Sequence, residues 1–410
     1  MSKTPFIQSI MKNDYTTFRN LLGSNKVNAH IYSFDMKEKS ILNQHNEKPQ
    51  LSETNVSLLH IAAYADSLEI FIYLHEDCNL PLDSQNLDGY YPLHYACYGG
   101  SLEVVSYILQ QEPQQATLLP KVEHHFLYFA TFSGNSTILS LLFRCGADIN
   151  AIQNRRDSPI IVAIKKRYIE CLKILLQEGS RLDQSRGYSS IMEALKLFQK
   201  DAVPLLLEYG EDPSIFSDDG NCALSLAAFQ QYPDIVQLLC NNLGSIEPDT
   251  TAPYYHTSAV HWGCQSYMPE IMEMLLEKNI NVNQLDRDGF CGPHYLIDVG
   301  TPENNIKILE MLYENGFNVN IQNPFQNNTS LLEEFMCTIK SQFEIIQWLI
   351  EHGADPLVRA GGNGPRLVTI LLQMPNLPAS LKELLDPFAK EAISLDNQEK
   401  FSSFLSKRSK

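Results

Sequence analysis

Apolar residues along this chain come in short bursts at three- and four-residue spacing, separated by polar or glycine-containing breaks. Leu93, Ala96 and Cys97 make one such burst, which predicts a short helix with a single apolar stripe. Gly99-Gly100 closes it, because glycine readily takes the left-handed conformation at a helix C-terminus. Ser101 stands where it would cap a second helix over residues 102–110, with Glu103 in the first turn favoured by the helix dipole. This two-helix pattern recurs. Ser57-Leu-Leu-His60-Ile-Ala-Ala63 is followed by Tyr91-Pro-Leu-His94-Tyr-Ala-Cys97 and His125-Phe-Leu-Tyr128-Phe-Ala-Thr131. Related phrases begin at Ser158, Ser189, Cys222, Ser258, Cys291 and Thr329, at intervals of 31 to 38 residues.

Two further phrases keep the same period. A leucine pair follows each first phrase, as at Leu141-Leu142, Leu175-Leu176, Leu206-Leu207 and Leu275-Leu276. A glycine-initiated ending comes next in Gly146-Ala-Asp-Ile-Asn150, Gly316-Phe-Asn-Val-Asn320 and Gly353-Ala-Asp-Pro356. Small residues at Ala62-Ala63, Ala130, Ala163, Ala194 and Ala227-Ala228 allow close helix approach. Asp88-Gly89, Asp219-Gly220 and Asp288-Gly289 predict tight turns between units. No single unit of this size can bury its apolar face, so the units are expected to stack.

The T-P-L-H-x-A-like phrase, the leucine pair and the G-A-D-x-N-like ending, at a period near 33, resemble the ankyrin repeat. The chain is similar in particular to the large, divergent ankyrin families of some protists. The resemblance implies an all-α solenoid of stacked helix-turn-helix units joined by β-hairpin-like loops. It covers residues 55–360, about nine repeats. Residues 1–54 then read as a degenerate capping helix pair plus a polar insertion, and residues 361–410 as capping helices with a basic tail. Gly292-Pro293 and Glu333-Glu334 depart from the pattern.

Composition narrows the function classes. The chain has 410 residues, 44% hydrophobic and 19% charged, with a formal charge of −17. That charge repels nucleic-acid backbones and anionic membranes, so neither is expected as a partner. No apolar run reaches the roughly 18 residues that span a bilayer, and no secretory leader is visible. Nine cysteines, odd in number and scattered singly, fit free thiols in a reducing compartment, cytoplasmic or alternatively nuclear.

His94 and Cys97, His261 and Cys264, and Cys291 and His294 each stand three apart. All three pairs sit in the repeated phrase, so repetition accounts for their spacing. Stacking separates the copies, whereas zinc needs four convergent ligands. By the resemblance, the phrase histidine braces the turn before the first helix. Phosphate loops, nucleophile elbows and H-E-x-x-H helices do not occur. The expectation is a protein that is not an enzyme and takes no metal and no cofactor. The flanks, of 54 and 50 residues, leave little room for a catalytic module.

What remains is a binding surface for a protein partner, on a monomer. The resemblance places it at the residue before each first phrase and just after the small pair. The first position gives Tyr90, His124, Tyr188 and Phe290; the second gives Tyr64, Tyr98, Phe132, Lys165, Lys166 and Phe229, with Lys196 beside them. Tyr64, Tyr98 and Phe132 are 34 apart and predict a ladder, either exposed as anchors or packed on the neighbouring repeat. Lys165, Lys166, Arg167, Arg155 and Arg156 form a basic band. The leading reading is an interaction scaffold or adaptor that binds a partner segment on its concave face. The alternatives are a substrate adaptor of a ubiquitin ligase, suggested by a faint SOCS-box likeness over residues 377–384, or a modifying enzyme with a cryptic terminal module.

Overall fold

A computed structural model of the chain describes residues 4–25, 33–34, 56–118, 125–151, 158–182, 189–217, 220–242, 256–297, 299–337 and 343–408. Each repeated phrase opens on an extended residue and then turns into a short helix. Ser57, Tyr91, His125, Ser158, Cys222 and Ser258 all have ψ beyond 160° or close to it, with β-region φ. Proline follows at Pro92 and Pro159, where its preset φ suits the first helical position.

The helices follow one another in pairs along the sequence. They are α1 (Thr4–Met11) and α2 (Tyr15–Asn25), α3 (Leu58–Tyr64) and α4 (Leu68–Ile72), α5 (Pro92–Gly99) and α6 (Leu102–Gln111), and α7 (Phe126–Ser133) and α8 (Ser136–Arg144). Next come α9 (Pro159–Lys166) and α10 (Ile169–Gln177), α11 (Ser190–Lys196) and α12 (Ala202–Glu208), α13 (Ala223–Phe229) and α14 (Pro233–Asn242), and α15 (Ala259–Ser266) and α16 (Pro269–Leu276). A 3-10 turn, Gly292–Leu296, stands in for the first helix before α17 (Pro302–Glu314). Then come α18 (Leu331–Met336), α19 (Phe343–Glu351), α20 (Leu367–Leu371) and α21 (Ala379–Arg408). Two-residue strands pair antiparallel: β1 (Ser33–Phe34) with β2 (Val56–Ser57), and β3 (Gln322–Asn323) with β4 (Thr329–Ser330). The expected polar insertion lies otherwise outside the described residues.

The chain forms two compact units, Met1–Asp183 with Leu197–Glu211, and Gln184–Lys196 with Asp212–Lys410. Each is an all-α stack. In the first, α1, α3, α5, α7 and α9 pack side by side as an inner row, and α2, α4, α6, α8, α10 and α12 form an outer row. In the second, α11, α13, α15 and the 3-10 turn continue one behind another as an inner row. There α14, α16, α17 and α19 form the outer row. The core runs between the rows: Leu93, Ala96 and Cys97 face Val104, Val105 and Ile108, all wholly buried.

Close helix approach has a specific cause. A Cβ on Gly99 would lie 2.1 Å from the Tyr64 carbonyl oxygen, so hydrogen alone lets α5 settle on α3. The Gly292 departure has the same origin, since a Cβ there would meet Val260 Cγ2 at 2.9 Å and the Val260 carbonyl at 3.0 Å. Polar side chains also tie consecutive pairs. Ser101 does not cap its own helix; its hydroxyl donates to Tyr64 O at 3.0 Å. Ser67 donates likewise to Ile10 O at 2.5 Å, and Asn135 Nδ2 to Gly100 O at 3.2 Å. At the repeat endings, Asn150 donates to Gly179 O and accepts from Arg181 N, each at 2.9 Å. Asn283 repeats this with Gly316 and Asn318, and Asn320 with Gly353 and Asp355.

Between the two helices of a pair the chain turns through a left-handed residue. Gly100 and Gly134 do this without strain, but Asp66, Arg167, Phe198, Gln231 and Tyr267 adopt the same positive φ with a side chain present. The second unit ends on α21, held by Arg359 and Arg366, which share Asp396 and Glu399 at 2.5 to 3.0 Å. Two capping helices, α20 and α21, follow the array, and α21 runs on past Pro387 to Arg408, through the residues read from the sequence as a basic tail.

Two substitutions test these packing rules in urea unfolding. Gly99→Ala forces the α3–α5 contact apart and is expected to cost about 1–3 kcal/mol. Phe198→Gly relieves a strained, solvent-exposed position and is expected to gain about 0.5–1 kcal/mol.

Candidate functional site

The phrase histidines are structural. In His60, Nδ1 lies 2.7 Å from Ser57 Oγ and Nε2 lies 3.1 Å from Tyr90 O. The ring thereby joins its own helix start to the next repeat. His261 does the same between Ser258 and Phe290 O, at 3.1 Å on each side. His94 and His294 accept the backbone N–H of Tyr91 and Cys291 on Nδ1, at 2.9 and 3.0 Å. Burial disfavours the imidazolium in every case and pushes His60 and His294 down to about 4. Among the described residues, no group of three His, Cys, Asp or Glu is disposed to hold a metal. The cysteines of the phrase are buried, and desolvation holds the thiols of Cys97, Cys264 and Cys291 far above their ordinary range.

The predicted ladder is a stacked column. Tyr64 and Tyr98 lie 5.9 Å apart with planes at 28°, and Tyr98 and Phe132 lie 5.5 Å apart at 18°. Lys166 Nζ sits 4.6 Å from the Phe132 ring centre and closes the column with a cation–π contact. Of the two readings left open by the sequence, packing holds for most of it. Tyr98 and Phe132 are buried, and only Tyr64, at the first position, is half-exposed. Face-to-face stacking consumes the ring surface that a partner would need, so exposed anchors at Tyr98 and Phe132 are corrected to core packing.

The remaining candidates divide similarly. Tyr90 is buried, edge-on to His94 and Phe129 at 5.2 and 5.9 Å, so it too serves packing. Phe290 is half-buried, 5.1 Å from His294. Lys165 and Lys196 are exposed. His124, Tyr188, Arg155 and Arg156 lie outside the described residues. Phe229, at the same phase as the column, is 68% exposed.

Phe229 borders a recess of about 530 Å³ in the second unit. It opens against α13, α15 and the 3-10 turn, and its wall includes Trp262, Gln265, Asp286, Asp288 and Tyr295. The turn below it is tightly held. Asp286 Oδ1 accepts the backbone N–H of Asp288 and Phe290 at 2.9 Å each, and Oδ2 accepts the Tyr295 hydroxyl at 2.7 Å. Asn86 does the same work in the first unit, with Asp88, Tyr90 and Tyr95. Trp262, Gln265 and Tyr295 carry no motif of their own in the sequence; the signal for them is phase, since Gln265 falls at the ladder position and Trp262 lies within the same phrase.

The buried histidines set a pH dependence. An unfolded imidazole, with its ordinary value near 6.5, binds a proton more readily than the folded one. Stability is therefore complete above pH 6.5 and falls as the pH drops from 6.5 towards 4. Unfolding free energies from urea melts across that window are expected to decline, by on the order of 3 kcal/mol per histidine at the acid end. A His60→Gln variant is expected to show a shallower slope. The column has its own ranking: Tyr98→Ala is expected to cost about 3–5 kcal/mol and Lys166→Ala less than about 1 kcal/mol, by thermal or urea unfolding.

A family model described as ankyrin repeats (3 copies) matches residues 6–119, 58–153, 126–217 and 211–286. Among relatives, an ankyrin repeat protein of Acanthamoeba polyphaga mimivirus is 24% identical over 262 residues, 61% of this chain and 33% of that protein. Human transient receptor potential cation channel subfamily A member 1 is 20% identical over 86% of this chain and 36% of its own length. Human ankyrin repeat and SOCS box protein 16 is 22% identical over 36% of this chain and 30% of its own. The chain thus spans about a third of the length of the first of these relatives and of the channel alike. The overlapping family matches cover most of the chain, in the period its phrases define, and the chain belongs to the ankyrin-repeat family.

Proposed function

We propose that this chain is a non-catalytic scaffold or adaptor that receives a segment of a partner protein on the face built by its inner helices. The ankyrin repeats make it an interaction module. The observation that carries the finer reading is the exposure of Phe229. Its counterparts Tyr98 and Phe132 are buried in a column, whereas Phe229 presents an aromatic ring to solvent beside a recess. A ring left open to solvent adds little to folding and is a favoured anchor. Half-exposed Tyr64 and Phe290 and the cations Lys165 and Lys166 belong to the same kind of surface. No helix among the described residues is long and apolar enough to cross a membrane. The proposed setting is a monomer in the cytoplasm.

The ubiquitin-ligase alternative rests on residues 377–384 and on similarity to the ankyrin repeat and SOCS box protein. The burial of Leu381 and Leu385 within the chain's own second unit counts against it, since those apolar positions are already occupied. A photo-crosslinking residue tests the leading reading. Placed at Phe229, it is expected to trap a partner in cells, and placed at exposed Glu273 on the outer row it is expected to trap none. Adducts at Glu273 in preference to Phe229 would put the partner on the other face.

A further inference from the structure

We infer that the recess beside Phe229 seats an arginine side chain carried by an extended segment of the partner. This rests on the inner-face reading above and names the chemistry it selects. The wall combines two things a guanidinium needs. Phe229 offers an open ring face at the end of α13, and Trp262 and Tyr295 supply further aromatic wall. A planar cation stacks on such surfaces, drawn by the ring quadrupole. Asp286 and Asp288 supply negative charge at the hairpin side, and no lysine or arginine is among the described lining residues.

The two carboxylates have different tasks. Both oxygens of Asp286 are taken by the Asp288 and Phe290 amides and the Tyr295 hydroxyl, so Asp286 contributes field and holds the turn. Asp288 is exposed on that held turn, free to accept a forked pair of N–H donors. Gln265, half-buried at the ladder phase, adds an amide that can accept from the same group. A lysine ammonium would meet the charge but lacks the plane that stacks and forks. The net charge of −17 draws any cationic peptide, so the discriminating feature is local.

The test selects random twelve-residue peptides from a display library on the full chain and measures their binding by fluorescence polarization. Binders are expected to share one arginine. Changing it to lysine is expected to weaken binding several-fold, and to citrulline at least about tenfold. Asp288→Asn and Phe229→Ala, both at exposed positions and checked for folding by circular dichroism, are each expected to weaken binding about fivefold or more. Glu170→Gln, an exposed charge in the other unit, is expected to leave it unchanged. Equal losses from Glu170→Gln and Asp288→Asn would reduce the effect to diffuse charge and overturn the inference. Binders that need Phe229 but contain no arginine would overturn it too while leaving the inner-face reading intact. Binders indifferent to Phe229, or none at all, would remove both.

Discussion

Helices of five to ten residues do not persist in water, because the cost of the first turn is recovered over too few hydrogen bonds. Everything in this chain therefore depends on lateral burial between neighbouring repeats. The inner helices show it most plainly. Residues 92–98 of α5 and 126–132 of α7 are buried at every position, as are residues 159–164 of α9. An isolated amphipathic helix would expose one face. These have a helix on each side and an outer row behind, so their sequences are apolar almost throughout. The outer helices keep a polar face, and their core residues are spaced accordingly.

Burial on that scale demands that the turns between helices satisfy their own backbone groups. The repeats meet the demand by exporting side-chain hydrogen bonds to the next copy. His60 and His261 reach forward to a carbonyl about thirty residues on, Ser101 reaches back to Tyr64, and Asn150, Asn283 and Asn320 clamp successive glycine turns. Neutral, buried imidazoles suit this task, since each offers one donor and one acceptor without a charge to desolvate. The structural ties and the apolar contacts thus join the same neighbours, which makes each unit cooperative along its stack.

The proposed binding surface lies where one phase of the repeat escapes this packing. Tyr64, Tyr98, Phe132 and Phe229 occupy equivalent positions, yet Tyr98 and Phe132 are buried and Phe229 is exposed. In the first unit the rings stack on one another, ending with Lys166 over Phe132. In the second, the same phase holds Lys196 before Phe229 and Gln265 after it, so no aromatic column continues there and Phe229 stays open. Phe229 and Gln265 line one recess with Trp262, Tyr295 and the two aspartates.

Sequence alone determined the period, the two-helix unit and the family resemblance, each written in local spacing and repeated often enough to be read from one chain. The resemblance in turn implied the bracing role of the phrase histidines. The tertiary structure alone decided which aromatics are core and which are surface, because the burial of Tyr98 or Phe229 depends on a side chain some 34 residues away. It likewise decided that Ser101 ties repeats together instead of capping a helix, that Gly99 and Gly292 serve close approach, and that Asp288 and Phe229 line one recess. Those are facts about distance between repeats, and a periodic pattern fixes which residues are equivalent without fixing what each one touches.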